Sequence, residues 1–185
     1  MSLRIYGNRQ LKTLPGQATR PTPARVREAL FNIWQGEIRG ARWLDLCAGS
    51  GAMGAEALCR GAASAIAIEQ SAAAGRIIQH NWQLVAQPDQ TIQVIRGNVA
   101  RKLATLRGQS FDRIYFDPPY ASDLYKPVLE AIATLDLLDP NGELAAEHDP
   151  QTPLPETIGA VGHQMAIARQ KRYGNTALTF YQRCV

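Results

Sequence analysis

The hydrophobic pattern of residues 43–147 alternates short apolar runs with longer segments whose apolar positions recur every three or four residues. Short runs predict β-strands, and the periodic segments predict amphipathic helices. The predicted strands are Trp43–Cys47, Ala65–Glu69, Thr91–Ile95, Phe111–Phe116 and Leu144–Glu147. The predicted helices are Ala52–Arg60, Ala72–Val85, Val99–Leu106 and Tyr125–Leu138. Regular β-α alternation predicts a parallel sheet with helices on both faces and ligand sites at the carboxyl ends of the strands.

The two ends of the chain follow a different pattern. Leu3–Tyr6 and Gln10–Leu14 predict a basic hairpin, and a helix is predicted at Ala24–Trp34. Met165–Ala168 and Thr176–Tyr181 predict two strands that add an antiparallel edge to the sheet. We therefore expect an α/β fold, Rossmann-like, with a mostly parallel sheet and a short basic N-terminal hairpin and helix.

Length and composition favour one domain. A chain of 185 residues buries a full core without disulfides, so we expect a single unit with an N-terminal extension at 1–40 and a core at 41–185. The three cysteines form neither a C-x-x-C pair nor an evident His/Cys ligand set, which predicts no structural metal and a cytoplasmic location. We expect no membrane partner, because no apolar stretch approaches roughly 18 residues. A monomer is the simplest oligomeric state.

The charge is segregated along the chain. Residues 1–42 hold eight Lys and Arg against two Glu, and residues 166–185 hold four against none. The middle, residues 43–165, holds eight against fourteen acidic side chains, so the net +4 comes from the two ends. Basic ends that meet in space would attract phosphate, as on a nucleic acid. A solubilising surface is the alternative interpretation.

A glycine-rich loop follows the first core strand. Gly49, Gly51 and Gly54 match the G-x-G-x-x-G pattern between a strand and a helix, and Glu69 ends the next strand. Glycines let a backbone approach a ligand, and an acid at that spacing binds ribose hydroxyls. The candidate contacts here are Asp45, Ala48, Gly49, Ser50, Gly51, Gly54 and Glu69. NAD, FAD and S-adenosylmethionine enzymes all use this pattern, and a purely structural tight turn also fits it.

Asp45 helps to choose among these cofactors. It lies four residues before the first glycine, where a pyrophosphate group gains nothing from an anion, whereas a zwitterionic sulfonium moiety tolerates or uses one. S-adenosylmethionine is therefore the favoured cofactor. Asn98 and Val99 follow the third core strand, where an amide or acid and the next backbone N–H often face an adenine. Asn98 is equally well placed to cap a helix, and the two roles are compatible.

The segment Asp117-Pro118-Pro119-Tyr120 ends the strand Phe111–Phe116. We expect the Asp117 side chain and the Pro118 carbonyl to accept the hydrogens of an exocyclic amino group, because the fixed φ of proline presets that carbonyl. Tyr120 would stack on the base, which must be unpaired or flipped. Asp117, Pro118 and Tyr120 are thus the candidate catalytic residues, with Asp117 also beside the cofactor. A strand-end turn with a buried tyrosine is the structural alternative.

These motifs resemble those of class I methyltransferases that modify amino nitrogens. The N-terminal sequence from Arg20 to Asn32 (RPTPARVREALFN) and the tail sequence from Lys171 to Thr176 (KRYGNT) narrow the resemblance to the bacterial 16S ribosomal RNA guanine-N2 methyltransferases. The resemblance covers nearly the whole chain. It implies a seven-stranded sheet, S-adenosylmethionine as cofactor, and 16S ribosomal RNA within a partly or fully assembled small subunit as substrate.

The resemblance also implies an RNA-binding set around the active-site mouth. Its members are Arg20, Arg25, Arg27, Asn32, Lys171, Arg172 and Tyr173. The arginines could instead cap helices or form surface salt bridges. The chain departs from the family at Asn98, where an acid is usual, and at Cys47, where an aromatic is usual.

Three other functions remain open on the residues alone. Adenine-N6 methylation of DNA or RNA and glutamine methylation of protein both use an (Asn/Asp)-Pro-Pro-(Tyr) site, more often with Asn first and with a separate recognition domain. A dinucleotide-dependent oxidoreductase leaves Asp117–Tyr120 and the basic ends unexplained. A non-catalytic RNA-binding protein could retain a Rossmann-like core.

Overall fold

The computed structural model describes residues 2–14 and 23–184. The central sheet contains β3 (Arg42–Leu46), β4 (Ser64–Glu69), β5 (Thr91–Arg96), β6 (Phe111–Phe116), β7 (Leu138–His148), β8 (Thr157–Ile158), β9 (Met165–Tyr173) and β10 (Thr176–Arg183). Its order is β5-β4-β3-β6-β7-β10-β9-β8; β3 to β7 are parallel and the last three strands are antiparallel. The predicted α/β fold with a mostly parallel sheet is confirmed.

Helices cover both faces of this sheet. They are α1 (Ala24–Ile33), α2 (Ala52–Cys59), α3 (Ala72–Val85), α4 (Val99–Lys102) and α5 (Tyr125–Thr134). One core cluster packs α1, α2 and α3 on the sheet around Phe31, Trp34 and Trp82. The other packs α4 and α5 on the opposite face. None of the described helices is long and apolar enough to cross a membrane.

The N-terminal hairpin packs on the first of these clusters. Strands β1 (Ser2–Ile5) and β2 (Arg9–Lys12) form a separate antiparallel pair, and Ile5 and Leu11 are buried among the core residues of α2 and α3. Asn81 of α3 accepts from the Lys12 N–H and donates to the Lys12 carbonyl, both at 2.9 Å. The hairpin is therefore an integral part of the hydrophobic core, whereas the sequence predicted only a basic extension.

The sheet has eight strands among the described residues, where the sequence predicted seven. The additional strand, β8, has two residues and lies outside β9, with Ile158 buried against Met165. A segment of two residues is too short to show an alternating hydrophobic pattern, so this strand could not be predicted from the pattern.

The connection between α5 and β7 also differs from the prediction. The helix was expected to reach Leu138 but ends at Thr134, because Asp136 adopts a left-handed conformation at φ 52° that breaks the helix. Strand β7 then begins at Leu138, and Gly142, expected in a turn, lies inside β7 where the pairing register with β6 shifts. A side chain at Gly142 would lie 2.9 Å from the Phe111 carbonyl, so the irregularity requires glycine.

The predicted helix Val99–Leu106 is confirmed only in its first half. The α-helix ends at Lys102, and Leu103–Leu106 continues as a 3-10 turn with Leu103 and Leu106 buried. An α-helix and a 3-10 turn can both bury Leu103 and Leu106, so the hydrophobic periodicity did not distinguish the two.

The parallel strands share one edge of the sheet, which we call the carboxyl edge. Strands β3, β4, β5, β6 and β7 end there, and the turn between β9 and β10 lies beside them, since Thr176 of β10 starts next to the last residues of β7. The opposite edge, where these parallel strands begin, is the amino edge. The predicted catalytic and cofactor residues follow the ends of β3 to β6.

Candidate active site at the carboxyl edge

The glycine-rich loop makes a tight turn between β3 and α2. Cys47 and Gly49 have positive φ angles of 61° and 56°, and the Gly51 N–H donates to the Ala48 carbonyl at 2.7 Å. A Cβ added at Gly49 would meet no atom of the described residues within 4 Å. The loop therefore leaves open space beside Gly49, at the mouth of the carboxyl edge, where a ligand could approach its backbone.

The other two glycines of the motif serve helix packing. A Cβ at Gly51 would lie 2.8 Å from Trp82 Nε1, and one at Gly54 would lie 2.2 Å from Trp82 Cζ2. The Trp82 indole also donates to the Gly51 carbonyl at 2.7 Å. All three glycines were predicted to let the backbone approach a ligand. Of the three, only Gly49 faces open space, whereas Gly51 and Gly54 leave room for the Trp82 side chain.

Asp45 is buried beneath the first turn of α2. Its Oδ2 accepts from the Gly54 N–H at 3.0 Å, one of the helix N–H groups that have no partner within the helix. Burial raises the pKa of Asp45 to about 7; the Gly54 hydrogen bond opposes this shift and nearby Glu69 adds to it. Asp45 therefore holds the loop to the helix, and its predicted role beside a cofactor stays a prediction.

Glu69 links the ends of β3 and β4. Its two carboxylate oxygens accept from the Gly49 N–H at 3.0 Å and from the Ser71 N–H at 2.8 Å. The carboxylate is half-buried and lies directly beside the open space at Gly49. Burial, together with the charges of Glu69 and Asp117, raises the pKa of the Cys47 thiol to about 12. The structure thus brings the predicted acidic residues of three loops around Cys47.

Asn98 caps α4. Its side chain accepts from the Arg101 N–H at 3.2 Å, and the Asn98 carbonyl accepts from the Lys102 N–H at 2.9 Å. Asn98 is partly exposed and Val99 is buried. The helix-capping role considered for Asn98 is therefore present, and an adenine contact by Asn98 and Val99 stays a prediction.

The Asp117–Tyr120 turn leaves β6 next to the glycine loop. The Asp117 N–H donates to the Leu46 carbonyl at 3.3 Å, which ties the turn to the end of β3. Asp117 is half-buried and Pro118 is buried, while the Pro119 carbonyl accepts from the Ser122 N–H at 2.9 Å. The turn therefore presents Asp117 one strand away from the open space at Gly49, as the order of β3 and β6 in the sheet requires.

Tyr120 bonds to residues that the sequence did not single out. Its hydroxyl donates to Glu147 Oε1 at 2.9 Å and lies 3.1 Å from the Thr176 hydroxyl. Burial raises the pKa of Tyr120, and the negative charge of Glu147 adds to that shift. Glu147 was predicted only as the last residue of a strand. A lone carboxylate in the apolar run from Leu144 was the available signal for a special role.

The predicted RNA-binding residues fall into separate groups. Arg25 and Asn32 are exposed on α1, and Lys171 and Arg172 are exposed near the end of β9. Tyr173 is half-buried, and it packs against the core beside the β9–β10 turn. None of the ion pairs among the described residues involves Arg25, Lys171 or Arg172. Arg20 lies outside the described residues.

Arg27 is a correction to the predicted RNA-binding set. Its side chain is buried, with the residue 3% exposed, and its Nε donates to Glu56 Oε2 at 2.6 Å. Its Nη2 also donates to the Arg4 carbonyl at 2.8 Å. Arg27 therefore fixes the N-terminal hairpin and α1 to α2, and burial removes it from contact with an RNA phosphate.

Groups of His, Cys, Asp or Glu side chains that could hold a metal ion are absent from residues 2–14 and 23–184. The features at this edge that could take part in chemistry are the carboxylates, the Asp117–Tyr120 turn and the open space at Gly49. An acid that can bind hydroxyls, a turn that can accept amine hydrogens and a nearby tyrosine ring together suit transfer of a small group to an amino nitrogen.

Known proteins are similar to this chain over nearly its whole length. The family model described as "Conserved hypothetical protein 95" matches residues 3–182. The "Ribosomal RNA small subunit methyltransferase D" of Escherichia coli (strain K12) is 34% identical over 187 residues, covering 98% of this chain and 90% of that protein. The protein of that name from Haemophilus influenzae is 28% identical over 179 residues, 96% of this chain and 90% of its own.

Solved structures show the same fold. The structure titled "Putative methyltransferase yhhF from Escherichia coli" superposes with a TM-score of 0.82 at 30% identity, covering 99% of this chain and 98% of that chain. The rRNA methyltransferase aviRa of Streptomyces viridochromogenes shares the fold alone, with a TM-score of 0.66, 14% identity, and coverage of 92% and 88%. The predicted Rossmann-like fold of class I methyltransferases is confirmed.

Proposed function

Because this chain belongs to the family described as "Conserved hypothetical protein 95", we propose that it methylates ribosomal RNA with S-adenosylmethionine as the methyl donor. The acceptor in this proposal is the exocyclic N2 of a guanine in 16S ribosomal RNA, at position 966. The substrate is the RNA within a partly or fully assembled small subunit in the cytoplasm, and the enzyme acts as a monomer without a metal.

The observation that carries this proposal is the position of the Asp117–Tyr120 turn. It follows β6, the strand next to β3, and its Asp117 N–H bonds to the Leu46 carbonyl at the start of the glycine loop. An amine-gripping turn thus lies beside the loop that would hold the methyl donor. When a methyl donor and an acceptor are bound by neighbouring loops, the transfer between them becomes effectively intramolecular. This positioning is the main source of rate enhancement in a transfer that needs no strong base.

The residues present suit S-adenosylmethionine. The Glu69 carboxylate lies at the open side of Gly49 and can accept hydrogens from ribose hydroxyls. The backbone of Ala48, Gly49 and Ser50 lines the same opening, and Asn98 and Val99 follow the adjacent strand end, where an adenine would lie. S-adenosylmethionine supplies an electrophilic methyl group on a sulfonium, and the chain needs only to orient the acceptor towards it.

Asp117 and Pro118 orient the acceptor in this proposal. The Asp117 carboxylate and the Pro118 carbonyl accept the two hydrogens of the amino group, which directs the nitrogen lone pair towards the methyl carbon. The new N–C bond forms as the C–S bond breaks, and the bonding pair leaves with sulfur as a neutral thioether. The amino group then loses one proton to Asp117 or to water. Tyr120 stacks on the base, which is worth roughly 1–3 kcal/mol.

Exposed cations suit a polyanionic substrate. Arg25 lies in the first turn of α1, and Lys171 and Arg172 precede the β9–β10 turn beside the carboxyl edge. With Asn32, Tyr173 and Arg20, they form the proposed RNA-binding set, from which Arg27 is withdrawn. Adenine and glutamine methylation are the competing acceptors, since the turn chemistry is common to all three.

The test uses the purified full-length protein, labelled S-adenosylmethionine, and small subunits from cells that lack the enzyme. The labelled RNA is digested to nucleosides, which are then separated. We expect N2-methylguanosine at one position. Label in N6-methyladenosine, DNA or protein would replace the guanine assignment, and no transfer to any of them would overturn the methyltransferase proposal.

A further inference from the structure

Three tyrosine hydroxyls converge on Glu147, near the end of β7. Its carboxylate accepts from Tyr115 at Oε2 and from Tyr120 at Oε1, the latter at 2.9 Å. Its main-chain carbonyl accepts from the Tyr125 hydroxyl at 2.9 Å. Glu147 is 3% exposed, so these bonds form away from bulk water, where unsatisfied polar groups are costly. One buried residue therefore joins β6, the Asp117–Tyr120 turn and α5.

The hydrogen bonds extend from Glu147 to the tail of the chain. A phenol carries one hydrogen, and Tyr120 gives it to Glu147, so the Thr176 hydroxyl at 3.1 Å must donate to the Tyr120 oxygen. Thr176 is the first residue of β10, and it pairs with Tyr173 across the β9–β10 turn. These two hydrogen bonds of the Tyr120 hydroxyl hold the hydroxyl end of its ring in place.

Glu147 is also level with the reacting end of β6. Phe116 pairs with Ala146 in the parallel ladder, so the next residues, Asp117 just after β6 and Glu147 within β7, lie side by side. The Glu147 carboxylate bonds to Tyr120, the fourth residue of the turn, whereas Asp117, the first residue, would face the acceptor. The Tyr120–Glu147 hydrogen bond therefore fixes the position at which the turn ends.

We propose that Glu147 is a positioning residue for the methyl transfer, which sets the plane of the Tyr120 ring on which the target base stacks. This inference rests on the proposed function for its substrate. Glu147 acts through Tyr120 and does not touch the base or the methyl donor. Stacking and in-line attack both depend on ring orientation, and displacement of about 1 Å at a reacting centre costs as much as a hundredfold in rate.

The chain offers a matched control in Glu143. It lies on the same strand and is 2% exposed, but its partners are the Trp34 indole at 2.6 Å, Arg169 and Gln182, which follow α1 or belong to β9 and β10. Substitution of Glu143 perturbs a buried, hydrogen-bonded carboxylate of the same strand without contact to the Asp117–Tyr120 turn. It therefore separates positioning from general destabilisation.

The experiment compares E147Q, Y120F, their double variant and E143Q in steady-state methyl transfer to small subunits. An amide offers one acceptor oxygen to two hydroxyl donors, so we expect E147Q to lower kcat about tenfold with an unchanged KM for S-adenosylmethionine. Y120F should lose a similar factor, and the double variant should lose no more than the larger single loss, because both changes break the same hydrogen bond. E143Q should stay within about twofold of the unaltered protein.

Several outcomes overturn the proposal. It fails if the losses of E147Q and Y120F multiply in the double variant, or if E143Q loses as much as E147Q. It also fails if E147Q retains full kcat. Should E147Q not fold, Y120F combined with T176V tests the same hydrogen-bonded chain from its other end, with a combined loss no larger than that of Y120F alone.

A separate measurement distinguishes this failure from failure of the proposed function. Amide hydrogen exchange of residues 117–124 needs neither substrate nor cofactor. Faster exchange there in E147Q but not in E143Q supports the positioning role even if the unaltered protein methylates no RNA, in which case only the proposed function fails. Equal exchange in the two variants overturns the positioning role on its own.

Discussion

Both edges of the sheet carry acidic side chains, but the hydrogen-bond donors that bind these carboxylates differ between the two edges. At the amino edge, Arg42 donates to Asp112 and Asp139, both at 2.8 Å. At the carboxyl edge, Asp45 and Glu69 accept from backbone N–H groups. A guanidinium brings a full positive charge to a carboxylate, whereas an N–H group orients the carboxylate without supplying a counter-charge. The acids of the amino edge therefore form ion pairs. At the carboxyl edge, half-buried Glu69 has no ion pair among the described residues, and buried Asp45 holds the glycine loop to α2.

The largest expected effect follows from removing an acid at each edge of the same strand. D117A should lower methyl transfer by about a thousandfold or more, because the acceptor loses the group that orients it. Affinity for S-adenosylmethionine, measured by calorimetry, should change only a few-fold. D112A, at the other end of β6, should leave transfer nearly unchanged and cost up to about 1 kcal/mol of stability. Equal loss of activity in both variants would show that Asp117 acts through folding.

A second prediction concerns whether the glycines of the loop serve ligand binding or core packing. G54A places a Cβ 2.2 Å from Trp82, so we expect a loss of about 1–3 kcal/mol in the free energy of unfolding. G75A, in the first turn of α3, meets only Val94 at 3.8 Å and should gain about 0.5–1 kcal/mol. Urea unfolding measures both. Undiminished stability in G54A would contradict the packing role of this glycine.

The third prediction concerns the opposite pH responses of the two edges. The native pKa of Asp45, about 7, lies above its ordinary value of 3.8, so the native state binds the extra proton between them. Stability should therefore fall as pH rises through that interval, by at most about 1.4 kcal/mol per pH unit. The Arg42 hydrogen bond instead lowers the pKa of Asp112, whose contribution is lost as pH falls.

Urea unfolding from neutral pH to below the ordinary carboxyl pKa of 3.8 tests both signs, because the Asp45 contribution changes above that value and the Asp112 contribution below it. D45N keeps an acceptor for the Gly54 N–H but cannot ionise, so its stability should fall less steeply from acid to neutral pH. D112N should lose stability at neutral pH and little at acid pH. An unchanged slope in D45N would contradict the assignment of the buried titration to Asp45.

The smallest expected effect is on RNA affinity. R25E and K171E, near the carboxyl edge, should each weaken binding a few-fold and reduce the slope of log affinity against log salt by about 1. R107E changes an exposed arginine at the amino edge and should leave that slope unaltered. Fluorescence anisotropy with a small-subunit RNA fragment measures all three. Equal slopes in the three variants would place the RNA elsewhere.

The parallel core was predictable from sequence because its elements satisfy local and global preferences together. Strand Phe111–Phe116 and helix Ala72–Val85 have the predicted bounds. The boundaries failed where tertiary packing decides them, as at Asp136, whose left-handed conformation no periodicity reports. The two-residue strand β8 was missed for the same reason, because it is a strand only through its pairing with β9.

The candidate site divides in a similar way. The proximity of Asp117, Glu69 and Gly49 could be predicted because they lie at or just after strand ends, which the order of the strands brings together; their roles stay predictions. Glu147 was not singled out, because the hydroxyls that it binds are contributed by separate elements. Arg27 was misassigned because sequence cannot distinguish an exposed cation from one that pairs with a buried acid.

Asn81 has a consequence for the order in which this chain can fold. Its side chain binds the Lys12 backbone, 69 positions away, and the Ser50 carbonyl, 31 positions away, each at 2.9 Å. The hairpin is synthesised before α3, yet its hydrogen bonds to Asn81 cannot form until α3 is made. A segment that is translated earlier is therefore fully secured only after a later one, and the loop that would hold the methyl donor is completed in the same step.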